Sequence, residues 1–126
     1  MPPEQEISGY RKLQVYEKSY AAVLAVYRMT GVFPKEEQYD IVNQMRRASM
    51  SIPLNIAEGY AKRESQQEFK RFLMMAIGSA NEMSVLIDIA RDLRYIGEEQ
   101  YTNAANEYDK IGRMLNVLIQ RLGKRV

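Results

Sequence analysis

The sequence predicts an all-α protein, an antiparallel up-down-up-down bundle of four helices. Three observations predict it. Apolar residues recur at three-and-four spacing through four long segments, the links between these segments are short and carry glycine or proline, and no stretch alternates apolar with polar residues as a half-buried strand would. With 126 residues, 46% hydrophobic and 27% charged, the chain has the size of one domain with a real core.

Residues 1–9, which include Pro2 and Pro3, are expected to form a flexible leader, and residues 10–126 a single domain. Helix one is predicted over Tyr10 to Thr30, with Leu13, Tyr16, Tyr20, Val23, Leu24 and Tyr27 as its apolar face and Gly31 as its stop. Pro34 suits the start of helix two, where its missing N–H would be unpaired anyway. Glu36, Glu37 and Asp40 then fall in the first turns, where the helix dipole favours negative charge, and Tyr39, Val42, Met45 and Ala48 or Ser49 carry the apolar face. Pro53 is expected to kink this helix without ending it, because helical and apolar spacing resumes with Leu54, Ile56 and Ala57. Gly59 loosens its end, and a turn follows near Arg63 and Glu64.

Ser65 followed by Glu68 reads as a capping box, the hydroxyl accepting from the Glu68 N–H while the carboxylate reaches back. From it a stripe of Phe69, Phe72, Leu73, Ala76, Ala80, Met83, Leu86, Ile87, Ala90 and Leu93 marks helix three, which ends before Gly97. Helix four follows, with Tyr101, Ala105, Tyr108, Ile111, Leu115, Leu118 and Leu122 on its apolar face and Lys124 and Arg125 in a basic tail. Gly78, among Ala76, Ser79 and Ala80, reads as a close helix–helix contact.

Two absences exclude most enzyme classes. Without Cys or His the chain has no disulfide, no zinc site, no Cys nucleophile, no His acid–base pair and no Glu-x-x-His di-iron motif. There is also no glycine-rich phosphate loop, nucleophile elbow or HExxH pattern. Glu58 and Glu82 alone are a thin set for Mg²⁺ or Mn²⁺, and hydrolysis at that pair would have to be abolished by chelation. The sequence therefore points to a non-enzymatic protein without cofactor or metal. No apolar run approaches the length of a membrane span and the N-terminus lacks a basic-then-apolar pattern, so a cytoplasmic protein without membrane contact is expected.

The stretch from Gln44 to Lys62 places charged and polar groups inside a core helix. Arg47 and Glu58 stand three helical turns apart with Asn55 between them, and Glu82 on the neighbouring helix can meet them. These four are expected to satisfy one another as a buried lock that fixes helix register, and the alternative is a binding pocket. Net charge is only +2, but basic residues concentrate around the turn between helices two and three. Arg46, Lys62, Arg63, Lys70 and Arg71 are candidates for phosphate contacts, against the plainer reading of a solvated helix face. Met74, Met75, Ile77, Val85 and Ile89 lie off the core stripe of helix three. A helix apolar nearly all round is buried on a second side, and another subunit covers that side most simply.

The run FPKEEQYDIVNQMRRASMSIPLNIAEGYAKRESQQEF, followed by FLMMAIGSANE, resembles the 23S rRNA-intervening-sequence protein family. Phe33-Pro34, Gln44-x-Arg46-Arg47-Ala48, Ser51-Ile52-Pro53-x-Asn55-Ile56-Ala57-Glu58-Gly59 and Gly78-Ser79-x-x-Glu82 match its pattern in order, and Tyr16 stands where members often carry Trp. The resemblance implies a four-helix bundle that assembles as a homopentamer, related to accessory proteins of diversity-generating retroelements that engage a reverse transcriptase and nucleic acid. The expectation is a homo-oligomer binding nucleic acid, RNA before DNA, through phosphate contacts. The alternative is a protein-interaction scaffold, for example for a reverse transcriptase, that touches no nucleic acid itself.

Overall fold

The computed structural model describes residues 9–123; the leader up to Ser8 and the basic tail at Lys124 and Arg125 lie outside them. A 3-10 turn over Gly9–Lys12 precedes four α-helices, α1 Gln14–Thr30, α2 Ile41–Ala61, α3 Gln66–Asp92 and α4 Glu98–Gly123, with no strand among the described residues. Helix α3 is central, packing against both α2 and α4, while α1 rests on α2 and touches α4 more lightly. Neighbours run in opposite directions, as their contacts show. Arg46 near the start of α2 reaches Thr30 at the end of α1, and Tyr60 at the end of α2 packs on Phe69 at the start of α3. Tyr101 at the start of α4 bonds Asp88 near the end of α3, and Lys18 of α1 meets Glu107 of α4.

The core is aliphatic. Ile52 and Ile56 of α2, Leu73, Met83 and Ile87 of α3, and Ile111 and Leu115 of α4 have no exposed surface, and each such side chain contributes about 1.5–3 kcal/mol. The stripe predicted for α3 is buried from Phe69 to Ala90, and only Leu93, one residue past the helix, is exposed. By length and composition α3 would also suffice to cross a membrane. Its core position between α2 and α4 accounts for the buried part of that apolar character, while Met74, Met75, Val85 and Ile89 lie on its exposed face.

In α1 the bundle uses a different face from the one predicted. Val15, Ser19, Ala22, Val26 and Met29 are buried, whereas Tyr20, Leu24 and Tyr27 of the predicted stripe are exposed. The helix is apolar on two faces. The smaller side chains let α1 sit close to the core, and the tyrosines stay where their hydroxyls reach water. The helix also starts later than expected, because Leu13 is extended (φ −77°, ψ 126°) and separates it from the 3-10 turn.

The start of α2 is likewise displaced. Lys35–Glu37 forms a separate 3-10 turn, so Glu36, Glu37 and Asp40 precede α2 instead of filling its first turn, and Tyr39 is exposed. A tertiary bond explains this. Tyr95, after α3, donates its hydroxyl to the Glu37 carboxylate and packs its ring at a tilt against Phe33, with centroids 5.2 Å apart, which ties the α1–α2 link to the α3–α4 turn. Its hydrogen bond to the Glu37 carboxylate holds the Tyr95 phenol protonated and pushes its pKa up from the ordinary value, and the nearby negative charge adds to this. That turn closes with the Tyr95 N–H on the Ala90 carbonyl, while Arg94 takes a left-handed conformation (φ 66°).

Helix α2 passes through Pro53 without ending. The close helix contact read from the sequence at Gly78 belongs instead to Gly59. A Cβ on Gly59 would lie 2.8 Å from the Phe72 Cβ and 3.3 Å from the Phe69 carbonyl, so this is where α2 and α3 approach closely. A Cβ on Gly78 would meet nothing within 4 Å. The capping box is half formed: Ser65 Oγ accepts from the Glu68 N–H at 3.1 Å, but the Glu68 carboxylate turns to Arg71.

Among the described residues one buried side-chain group is unpaired. Tyr108 is 3% exposed and its hydroxyl has no partner, and burial pushes its pKa up. Tyr108→Phe removes an unmet desolvation cost, so thermal unfolding should show it unchanged or up to about 1 kcal/mol more stable. A loss of 2 kcal/mol or more, on the scale of about 1–3 kcal/mol for a lost buried bond, would reveal a bonded hydroxyl.

Candidate nucleic-acid interface

The predicted polar lock does not form inside the protomer. Arg47, Glu58 and Glu82 are exposed, and no hydrogen bond or salt bridge joins any of them to another of the set. Asn55 turns to its own helix, donating to the Ser51 carbonyl at 2.8 Å and the Ser51 hydroxyl at 3.0 Å. The polar link between α2 and α3 is instead Ser79 to Ser51, hydroxyl to hydroxyl at 2.8 Å. The physical reason is economy of burial: aliphatic side chains fill the α2–α3 contact, so long charged groups lie on its outer surface, where water solvates them. Arg47→Met and Glu58→Leu, each expected from the sequence to cost several kcal/mol, should therefore change protomer stability by less than about 0.5 kcal/mol in denaturant melts.

The predicted basic set divides. Lys62, Arg63, Lys70 and Arg71 stand together on the α2–α3 turn and the first turns of α3, all exposed. Arg46 does not join them. It lies sixteen residues before Lys62, about 24 Å along α2, with its guanidinium 4.3 Å from the Tyr27 ring and its Nε donating to Thr30 Oγ1 at 3.0 Å. Arg46 thus pins α2 to the end of α1, a structural duty the sequence could not separate from phosphate binding.

Aromatic rings organise the remaining cations. Lys62 and Arg71 approach the Phe72 ring from 4.9 and 4.5 Å, and Arg63 lies 4.1 Å from the Tyr60 ring while donating to the Tyr60 carbonyl. Glu68 accepts two bonds from Arg71 at 3.2 Å, and this hydrogen bonding holds its carboxyl below the usual carboxylate range. Lys62 is 3.9 Å from Glu58, in an exposed pair. Such exposed pairs are weak and exchange readily for a phosphate partner. The turn is therefore a pre-ordered cationic surface whose internal partners are easily displaced.

Antiparallel packing adds to it. The turn before α1, the α2–α3 turn and the end of α4 meet at one end of the bundle, gathering Arg11, Lys12, Lys62, Arg63, Lys70, Arg71 and Arg121. Glu36, Glu37, Asp40, Glu98 and Glu99 collect at the other end. Lys12, Lys110 and Arg113 were not singled out from sequence; for Lys110 and Arg113 the signal was their recurrence with Arg121 on one face of α4, opposite the start of α1, where Lys12 lies on the preceding 3-10 turn. Among the described residues no three carboxylates converge as a metal site would require.

Of the α3 residues assigned to an oligomer interface, Met74, Met75, Val85 and Ile89 are exposed, and Ile77 is half-buried against the core. A second apolar surface lies on α1 and α2, where Tyr20, Leu24 and Leu54 are exposed around a groove floored by Val23, Met50 and Pro53. This surface holds the α1 residues that the sequence had placed in the core.

No curated protein sequence matches the chain. Among solved structures, a crystal structure described as a protein of unknown function from the S23 ribosomal protein family of Bacteroides thetaiotaomicron VPI-5482 superposes with a TM-score of 0.76 at 24% identity. The match covers 84% of this chain and 95% of that one, a likeness of fold. The family described as 23S rRNA-intervening sequence protein matches residues 11–117, which include all four helices nearly entire, and the chain belongs to that family.

Proposed function

We propose that the protein is a non-enzymatic, cytoplasmic accessory protein that assembles with copies of itself, a pentamer before other numbers, and binds nucleic acid through phosphate contacts. The observation that carries this reading is the basic end of the bundle, with Lys62, Arg63, Lys70 and Arg71 at its α2–α3 turn. The net charge of +2 is too small for tight binding by one protomer, but repetition in a ring multiplies phosphate contacts and hence affinity. The family's description, which names an intervening sequence of 23S rRNA, favours RNA over DNA.

Two features support the ring. A closed ring joins unlike surfaces head to tail, and each protomer has two, the outer face of α3 with Met74, Met75, Val85 and Ile89 and the α1–α2 surface with Tyr20, Leu24 and Leu54. Gly78, exposed in the middle of α3, weakens a helix by about 1 kcal/mol relative to Ala, a cost that close approach by a neighbouring subunit would explain.

Gel mobility of a structured RNA and of duplex DNA tests the reading. Wild-type protein should retard RNA at low salt, with affinity falling steeply as salt rises. Reversing Lys62, Arg63, Lys70 and Arg71 to Glu should lower RNA affinity by about a hundredfold or more at unchanged helicity, since each cation supplies one phosphate contact per protomer. Unretarded RNA and DNA at low salt would reject the proposal.

A further inference from the structure

A groove of about 660 Å³ opens between the start of α1 and the C-terminal half of α4. Leu13, Val15, Met114 and Leu118 form its floor, with Val117 exposed at the edge. Lys12 stands on the α1 side, and Lys110, Arg113 and Arg121 on the α4 side, with no carboxylate in the lining among the described residues. Asp109, outside the groove, holds Arg113 at 3.0 Å in a pair whose partners are both exposed, a contact that yields easily to a competing carboxylate. The α4 cations extend over eleven residues, about 16 Å or three helical turns. Helix α1 begins at the groove without a side-chain cap, which adds the positive end of its dipole.

We propose that this groove is a docking site for an acidic amphipathic helix of a partner protein. Its two halves require different things of an occupant. The cationic rim selects carboxylates or phosphates, and the aliphatic floor selects apolar side chains, because only these gain from leaving water there. Duplex nucleic acid offers phosphates but no aliphatic surface for a concave floor. Unpaired bases need aromatic platforms, and no lining residue is aromatic. A three-turn helix with Leu or Ile on one stripe and Asp or Glu on its flanks meets both demands, and the flexible Met114 adapts to the anchors.

The other end of the same α1–α4 seam provides a contrast. There the lining includes Arg28, Gln100, Asn103 and Glu107, a mixed set that selects no charge, and the Lys18–Glu107 pair at 3.2 Å stands between the two grooves. The acidic helix is thus confined to the end bearing Lys12 and Arg121. The proposal does not depend on nucleic-acid binding, which was assigned to the α2–α3 turn.

The test is fluorescence anisotropy of the full chain with a labelled synthetic helix of about fourteen residues, leucines on one stripe and glutamates beside it, against a scrambled peptide of equal composition. The amphipathic peptide should bind, and the scrambled one at least about tenfold more weakly. Lys110→Glu with Arg113→Glu, both in the groove lining and outside the basic end, should reduce peptide affinity about tenfold or more, and Val117→Asp similarly, with helicity and RNA mobility shift as in wild type. Val117 is exposed, so its replacement leaves folding intact. Equal binding of the two peptides, or no binding of either, would overturn the proposal. So would a double variant that loses RNA while keeping the peptide, which would make the groove a phosphate site. The peptide titration is read without RNA, so the nucleic-acid reading can fail without affecting it.

Discussion

Gly59→Ala is expected to lower the unfolding free energy by about 2–3 kcal/mol, although alanine is the better helix former by about 1 kcal/mol. The added methyl would sit 2.8 Å from the Phe72 Cβ, 3.1 Å from the Phe69 ring and 3.3 Å from the Phe69 carbonyl. Two of those three neighbours are backbone or directly attached to it, so relief requires α2 and α3 to separate along their contact. Phe69 and Phe72 are both buried there, and separation loosens their packing. The control is Gly78→Ala, which meets open space and should stabilise an isolated protomer by up to about 1 kcal/mol. Denaturant melts giving the two variants the same sign would show that the α2–α3 approach is not as close as described.

Val85→Lys combined with Ile89→Lys is expected to reduce the particle to a single protomer with its helical content intact. Both side chains are exposed in the protomer, 57% and 41%, so lysine costs little in folding. In an assembly that covers this face, two unpaired ammonium groups would be buried at several kcal/mol each, enough to outweigh the apolar gain of the interface. Light scattering reads the mass directly. Wild-type protein with the mass of one chain, or a variant that keeps the wild-type mass, would show that the outer face of α3 is not the contact.

Much of the fold was legible because burial imposes a period. The stripe from Phe69 to Ala90 gave α3 within a few residues, and Ser65 marked its start through a bond made entirely within four residues. Helix α4 followed from the same logic, with Tyr108, Ile111, Leu115 and Leu122 buried as spaced. The cationic α2–α3 turn was legible too, since Lys62, Arg63, Lys70 and Arg71 lie close in the chain and a tight turn keeps them close in space.

What failed lay where two local solutions were equally good. Helix α1 carries two apolar faces of the same period, and only the shape of the groove between α2 and α4 selects the one with Ala22 and Val26 over the one with Tyr20 and Leu24. Arg47 and Glu58 share a face of α2, but sharing a face does not say whether that face turns inward or meets Glu82 of α3. Gly59 and Gly78 are alike as letters, and only the crossing of α2 over α3 makes one of them indispensable.

The sequence by itself determined the number and order of the helices, the start of α3, the exclusion of His- and Cys-dependent chemistry, and the family. Those follow from local propensity, from residue types present or absent, and from an ordered motif. Tertiary structure alone decided which apolar face of α1 is core, that Arg46 serves the α1–α2 contact, that the family's polar residues lie outside the protomer's core, and that basic residues distant in sequence meet at one end. These depend on which surfaces oppose one another across helices, a relation between residues far apart in the chain that spacing along any single helix does not encode.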